Sequence, residues 1–275
     1  MRSFIVLCLL GLFAGCYGAK ICAFNIQSFG PTKAGKPDVM NNICQVMSLF
    51  DLIIVQEVRD SSGGAQAQLL SDLNAYVGFT EYDYYCGVRL GRSSYTEQYC
   101  FYFKSAMFSI IDAYEYPDPG DIFERQPTVV HFQHKTSTSS LTEFAIASLH
   151  AKPDDAVVEL DASVDVYDYI AQTSTENVII AGDFNADCTY VEMADWANIR
   201  LNTDSRFKWT ISRWQDTTVS GNTHCAYDRF VLAGADLIAN SDDYGEVFYS
   251  DYALGWTYAA TSDVSDHYPV YMNVN

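Results

Sequence analysis

Two histidines and a set of carboxylates stand at the ends of short apolar runs, and these are the residues in this chain best placed to do chemistry. Asp51-Leu52-Ile53-Ile54-Val55 leads into Gln56-Glu57, and Phe144-Ala145-Ile146-Ala147-Ser148-Leu149 stops at His150. Asn177-Val178-Ile179-Ile180-Ala181 opens onto Gly182-Asp183-Phe184-Asn185, and Ser265-Asp266-His267 precedes Tyr268-Pro269-Val270. Imidazole moves protons near neutral pH, and carboxylate oxygens hold hard divalent cations. Brought to one place, such groups have the layout of a metal-assisted hydrolase.

That convergence needs rigid mounts. Runs rich in Ile and Val and bounded by polar residues read as buried strands, and a strand end is a stiff place from which to hold a side chain. Segments of this character recur at 20–26, 51–57, 82–88, 98–104, 127–133, 143–150, 177–182, 227–232 and 268–274. Residues 38–50 place Val39, Ile43, Val46, Met47 and Phe50 at helical spacing. Residues 154–171 do the same with Val157, Val158, Leu160, Val164, Tyr167, Ile170 and Ala171, after Asp154 as the expected N-cap. Strands separated by helices predict a layered α/β fold. The 20 Tyr are read as core or strand-surface residues, not as a base-stacking platform.

At 275 residues, without a linker, a repeat or a low-complexity tract, the chain suits one large domain. An apolar run at 4–13 follows Arg2 and leads to the small residues Cys16, Gly18 and Ala19, the pattern of a secretory signal peptide cleaved after Gly18. That run is too short for a membrane span, so residues 19–275 are expected to be exported and soluble, with no membrane partner. Removal of Cys8 and Cys16 leaves six cysteines, Cys22, Cys44, Cys86, Cys100, Cys188 and Cys225, an even number that suggests disulfides in an exported chain. No Cys-x-x-Cys spacing favours zinc. The net charge of −19 excludes a simple basic nucleic-acid binder. Either the substrate is not nucleic acid, or bound cations and a few local Arg supply the positive field.

The matching words resemble the deoxyribonuclease I family, within the larger endonuclease/exonuclease/phosphatase fold. They stand as Lys20-Ile21-Cys22-Ala23-Phe24-Asn25-Ile26-Gln27-Ser28-Phe29-Gly30, Val55-Gln56-Glu57-Val58-Arg59-Asp60 and Leu90-Gly91-Arg92-Ser93-Ser94-Tyr95-Thr96-Glu97. Leu149-His150, Gly182-Asp183-Phe184-Asn185-Ala186, Cys225-Ala226-Tyr227-Asp228-Arg229 and Ser265-Asp266-His267-Tyr268-Pro269 follow in family order. Gly-Asp-Phe-Asn alone marks the wider superfamily, which includes lipid and inositol phosphatases. Leu-Gly-Arg together with Cys-Ala-Tyr-Asp-Arg points to secreted deoxyribonucleases. The resemblance implies two packed mixed β-sheets flanked by helices, a four-layer α/β sandwich. It also implies a metal-dependent endonuclease that cuts double-stranded DNA to 5′-phosphorylated fragments with little sequence specificity. The family's acidic members work with bound metal, which favours the second reading of the charge.

By that resemblance His150 pairs with Glu97 and His267 with Asp228, one imidazole serving as general acid (His150) and the other as general base (His267). Of the five His, only these two sit in family motifs; His131, His134 and His224 do not. Glu57 would be the principal Mg²⁺ or Mn²⁺ ligand, helped by Asn25. Asp183 and Asn185 would hold the phosphate and metal side, with Asp266 completing the acidic cluster. Arg59, Tyr95, Arg125 and Tyr227 match positions that contact DNA or the scissile phosphate. Cys188 and Cys225 match a bridged pair, while the partners of Cys22, Cys44, Cys86 and Cys100 stay open.

The pattern departs from the family in places. Asp216-Thr217-Thr218 matches one structural Ca²⁺ site, through Asp216 and Thr218, but the stretch to Cys225 is a residue longer than usual. The loop 118–126 keeps Asp121 and Phe123 of a second Ca²⁺ site but carries Gln126 where a carboxylate is common. Some members bind actin through the strand before Leu-Gly-Arg. Here it reads Tyr84-Tyr85-Cys86-Gly87-Val88, so actin binding is not carried over, and a monomer is expected. Two other readings compete: a lipid phosphodiesterase of the same fold, such as a sphingomyelinase, and a catalytically dead binding protein on this scaffold. The intact set of site residues speaks against the second.

Overall fold

In the strand Ala19–Phe29 (β1), Ile21 and Ala23 face one way and Cys22 and Phe24 the other, and all four are buried. Side chains alternate along a strand, so one that is apolar on both faces must lie in a sheet covered on both sides. A computed structural model, which describes residues 18–275, shows how this is met. The expected signal segment up to residue 17, with Cys8 and Cys16, lies outside the described residues.

One six-stranded sheet joins β1 to Leu52–Val58 (β2), Tyr82–Cys86 (β3), Gln98–Lys104 (β4), Glu246–Val247 (β11) and Val270–Val274 (β12), in the order β11-β12-β1-β2-β4-β3. The other joins Phe108–Glu115 (β5), Thr128–His134 (β6), Glu143–Ser148 (β7), Val178–Asp183 (β8), Lys208–Trp209 (β9) and Asp228–Ala233 (β10), in the order β5-β6-β7-β8-β10-β9. Each sheet is mixed: β1 and β2 run parallel, as do β7 and β8, and the other pairs are antiparallel. Ile21, Ala23, Leu52 and Ile54 pack with Phe144, Ile146, Ile179 and Phe230 into the core between the sheets. The alternate residues face outward. Cys22, Phe24, Ile53 and Val55 meet the helices Pro37–Met47 and Gly64–Val77, and Ala145, Val178, Ile180 and Val231 meet the helix Ala156–Thr173. This is the expected four-layer α/β sandwich.

Three details differ from the sequence reading. Asp154 does not cap its helix, because a 3-10 turn at Pro153–Asp155 precedes Ala156 and no side chain caps the end. Proline pre-sets that first turn without needing a cap. The helix Gly64–Val77 and the strand β5 were not anticipated. The helix opens on glycines and carries scattered Gln, Ser and Asn, while β5 lies at a sheet edge, half exposed, with Ser109 and Asp112 interrupting its alternation. Cys188–Cys225 is bridged as the resemblance implied. Cys86 and Cys100, directly opposite each other on β3 and β4, form a second disulfide, and Cys22 and Cys44 are buried thiols. No helix among the described residues is long and apolar enough to cross a membrane.

Candidate active site

The ends of β2, β7 and β8, the far part of β1 and the start of β10 meet at one edge of the sandwich. Asp183 closes β8 directly opposite Asp228, which opens β10. The two sheets are fastened here by Gln56, a fully buried amide in β2. Its Nε2 donates to the Leu149 carbonyl at 2.7 Å, and its Oε1 accepts the Asp183 N–H at 2.8 Å. Gly182 lies beneath it at φ +137°, where a Cβ would come within 2.3 Å of both Gln56 Nε2 and the Leu149 oxygen. Only glycine fits that approach and that backbone.

Irregular backbone aims the acidic side. The β1–β2 register shifts between Asn25 and Phe29, with Gln27 and Ser28 at φ 45° and 50°, and the β2–β4 register shifts around Glu57, at φ 58°. Bulges of this kind re-aim side chains next to active sites. As a result the Ser28 N–H reaches Glu57 Oε2 at 2.7 Å, and the Asn25 amide Nδ2 donates to Glu57 Oε1 at 3.0 Å and Asp183 Oδ2 at 3.2 Å. Burial alone would raise the Glu57 pKa. The charge of His150, the Asn25 amide, the Ser28 N–H and the charge of His267 outweigh it and hold the carboxyl below its ordinary value.

Both imidazoles point Nε2 at the same oxygen. His150 Nε2 lies 3.6 Å and His267 Nε2 3.5 Å from Asp183 Oδ2. Behind them, His150 Nδ1 contacts Glu97 Oε1 at 2.5 Å, and His267 Nδ1 contacts Asp228 Oδ2 at 2.7 Å. A carboxylate can only accept, so each Nδ1 carries a proton and each Nε2 is left to exchange one. Burial opposes the charged form of His150, but Glu97 and Asp183 overcome it and the pKa is raised. His267 is raised further, with Asp228, Asp183 and Asp266 against the same burial. Asp266 stands on the solvent side, its Oδ1 3.9 Å from His267 Nε2. Asn185, at φ 49°, donates its N–H to Asp183 Oδ1 and its side-chain amide to the Ala151 carbonyl.

The residues suit a hard cation. Asp183, Asp228 and His267 bring ligand atoms within 4.8 Å of one another, and Glu57 adds an ionised carboxylate across the Asn25 amide. Asn25 now turns its nitrogen toward the carboxylates and its oxygen to the Gln27 N–H, so it would ligate a metal only after its amide turned over.

The substrate-side residues divide. Arg59 stacks over the exposed Tyr95 ring, 4.4 Å from its centroid, and donates to Ser28 Oγ, which puts both on the open side of Glu57. Arg125 is largely buried, its Nε 2.8 Å from Glu97 Oε1, so it shares that carboxylate with His150. Tyr227 stands 6.4 Å from the His267 ring and 5.5 Å from Tyr190. Both loops compared with Ca²⁺ sites border this cluster: Thr218 pairs with His267 and the Thr217 hydroxyl accepts the Asp228 N–H, while Arg125 of the 118–126 loop meets Glu97. Asp216 Oδ1 accepts from the Thr218 N–H and hydroxyl, and its Oδ2 faces His224 Nδ1 at 2.8 Å, so a cation there would displace His224. In the other loop the Arg92 guanidinium donates to the Asp121 carbonyl and carboxylate, Asp118 accepts from Ile122 and Phe123 N–H, and the Phe123 ring is buried in the core. That loop does not fit a Ca²⁺ ion as it stands, because Arg92 already supplies its positive charge.

Several positioning residues escaped the sequence reading. Besides Gln56, the Tyr99 hydroxyl accepts the His150 N–H, the Thr217 hydroxyl accepts the Asp228 N–H, and Ser265 links the Asn25 carbonyl to the His267 N–H. Lys33 donates to the carbonyls of Ile26, Gln27 and Val264, tying the bulged end of β1 to the segment before His267. Only Gln56 carried a signal, as an amide at the end of an apolar run.

Comparison with known proteins shows the family and the fold. The model of the Endonuclease/Exonuclease/phosphatase family matches residues 22–267. Deoxyribonuclease-1 of Homo sapiens is 42% identical over 272 residues, covering 96% of this chain and 95% of that protein. Deoxyribonuclease-1 of Canis lupus familiaris is 41% identical over 272 residues (96% and 94%), and Deoxyribonuclease gamma of Mus musculus 40% over 258 (91% and 83%). Among solved structures, an endonuclease/exonuclease/phosphatase from Bacteroides vulgatus superposes with a TM-score of 0.63 at 15% identity, covering 94% of this chain and 98% of that one. The human Nocturnin catalytic domain gives 0.62 at 13%, covering 94% and 93%. At such identities the structures speak for the fold alone.

Proposed function

The chain belongs to the endonuclease/exonuclease/phosphatase family, on its deoxyribonuclease I branch, and is a deoxyribonuclease; from that we propose a divalent-metal-dependent endonuclease that cuts double-stranded DNA with little sequence preference and leaves 5′-phosphates. The observation that carries the reading is the pair of imidazoles aimed at one carboxylate oxygen, each backed by its own carboxylate. Hydrolysis of a phosphodiester needs a water deprotonated, the phosphoryl charge offset and the leaving oxygen protonated. In this reading His267 takes the proton of the attacking water, and His150 gives one to the departing 3′-oxygen. Asp228 and Glu97 hold the two rings in orientation, while Asn185 and Asp183 shape the phosphate side. A Mg²⁺ or Mn²⁺ ion at Glu57, with Asp183, Asp266 and a turned Asn25, would offset charge on the phosphate oxygens. Arg59 and Tyr95 would lie along the DNA backbone, with Tyr227 near the scissile phosphate. A net charge of −19 repels DNA, so binding rests on the cation and these few groups and weakens with salt. Export agrees with the two disulfides and the N-terminal apolar run.

Plasmid nicking tests the activity, and a thymidine p-nitrophenyl phosphodiester tests the roles. His150→Ala should cut DNA roughly 10²–10⁴-fold more slowly, yet lose far less on the p-nitrophenyl ester, whose leaving group needs no proton. His267→Ala should lose on both. Equal losses for His150→Ala on both substrates would overturn its role as acid, and metal-independent nicking would overturn the cation.

A further inference from the structure

A cleft of about 400 Å³ opens on the outer side of the second sheet, its wall including Trp196, Trp209, Ile211, Arg213, Arg229 and Tyr244. Arg229 follows Asp228 along β10, so the alternation of the strand sends one side chain to the catalytic cluster and the next to this cleft. Arg229 is 1% exposed, and its Nη1 and Nη2 donate to the Ile211 and Ala186 carbonyls. Its Nε has no hydrogen-bond partner among the described residues, and its guanidinium stands 5.8 Å from the Trp209 ring centroid. Burial lowers its pKa to about 10. Arg213, at the mouth, contacts Met193 Sδ and lies 4.8 Å over the Trp214 ring. Neither arginine is in an ion pair with a carboxylate among the described residues, although the chain carries 35 acidic groups against 16 basic ones. Most of the other arginines, Arg92, Arg125, Arg200 and Arg206, are so paired. The rim also displays large aromatic faces: Trp214 is 82% and Tyr244 79% exposed.

Unpaired guanidinium groups beside open aromatic rings are the parts that grip single-stranded nucleic acid, through stacking on a base and charge on its phosphate. The size suits a nucleotide, since small-molecule sites commonly enclose about 300–1,000 Å³. A duplex does not offer such a base, because its bases are stacked on one another. We propose that this cleft is an exosite for single-stranded DNA, taking one nucleotide with its base against Trp214 and Tyr244 and its phosphate at Arg213. The proposal rests on the deoxyribonuclease reading for its choice of ligand. Its natural occupant is a strand end released by cleavage or a frayed terminus, held on the face of the sheet opposite to the one that carries the Asp228 side chain.

Three of the four tryptophans, Trp196, Trp209 and Trp214, lie in or beside the cleft, and Trp256 packs instead against the helix layer of the first sheet. Intrinsic fluorescence therefore reads this site. The full chain, held in EDTA to stop turnover, is titrated with a five-nucleotide oligothymidylate and, separately, with a twelve-base-pair duplex. The expected result is saturable quenching by the single strand, at least tenfold weaker in Arg213→Glu, unchanged in His150→Ala, and much weaker with the duplex. Arg213 is exposed, and thermal melting of Arg213→Glu checks that it folds. Quenching that fails to saturate, persists in Arg213→Glu, disappears in His150→Ala or is matched by the duplex overturns the exosite. Plasmid nicking by the unmodified chain is scored separately: nicking without quenching removes the exosite alone, and quenching without nicking removes the catalytic reading alone.

Discussion

Gln56→Leu should damage stability and catalysis together, because this one amide fastens the two sheets where they carry the site. The substitution nearly preserves volume and removes two hydrogen bonds, to the Leu149 carbonyl at 2.7 Å and from the Asp183 N–H at 2.8 Å. Both partners stay buried among packed residues, so each is left without a partner, at about 1–3 kcal/mol apiece. Urea unfolding should therefore show a loss of about 2–6 kcal/mol, a large share of the 5–15 kcal/mol typical of a folded domain. Leu149 precedes His150, and Asp183 is the carboxylate that both imidazoles face. A displacement on the order of 1 Å there costs roughly 10²-fold in rate, and nicking should fall by about that factor. Gln56→Glu sharpens the test. Its carboxyl can still accept from Asp183, but it must be protonated to donate to Leu149. Its folded-state pKa is then raised, so its stability should approach that of the natural chain at low pH and fall away as pH rises through that value. A Gln56→Leu protein that loses less than 1 kcal/mol and nicks at full rate would refute the fastening role.

Glu159, fully buried, accepts the Glu124 N–H at 3.0 Å and the Lys152 N–H at 3.3 Å, and burial pushes its pKa up to about 7. Its folded pKa exceeds the unfolded value, so its contribution is present below about pH 4.5 and is lost as pH rises through 7, a change of about 3 kcal/mol. Glu159→Gln should thus match the natural chain near pH 4 and exceed its stability at pH 8; equal pH profiles would contradict this. Arg59→Ala should weaken DNA binding and lower the slope of log affinity against log salt by about 1, measured by anisotropy with Mg²⁺ present in a His150→Ala background that slows cleavage. An unchanged slope would remove Arg59 from the phosphate contacts. Reduction of Cys188–Cys225, which spans 37 residues, should cost about 4 kcal/mol and lower activity, against about 3 kcal/mol for Cys86–Cys100 across 14, from loop closure alone. Unfolding of the two single-bridge serine variants checks the order.

The layered fold was legible because buried strands must be apolar on both faces, and runs such as Leu52–Val55 and Val178–Ala181 carry that requirement in their composition alone. The chemistry was legible for a related reason: polar residues that close such runs have little to do in a core, so His150, Asp183 and His267 stood out. The strand β5 and the helix Gly64–Val77 did not, since one is half exposed at a sheet edge and the other has a weak apolar stripe beginning on glycines. The Cys86–Cys100 bridge depends on the β3–β4 register, which no spacing in the chain encodes. Sequence by itself determined which side chains are chemically suited to catalysis and that they stand in or beside strands. Only the tertiary structure decided that Asp183 Oδ2 is the point both imidazoles share, that Arg125 backs Glu97, that Arg92 fills the loop at Asp121, and that Gln56 joins the sheets. Those facts are distances between residues far apart in the chain, fixed by sheet pairing and packing, and local sequence does not record them.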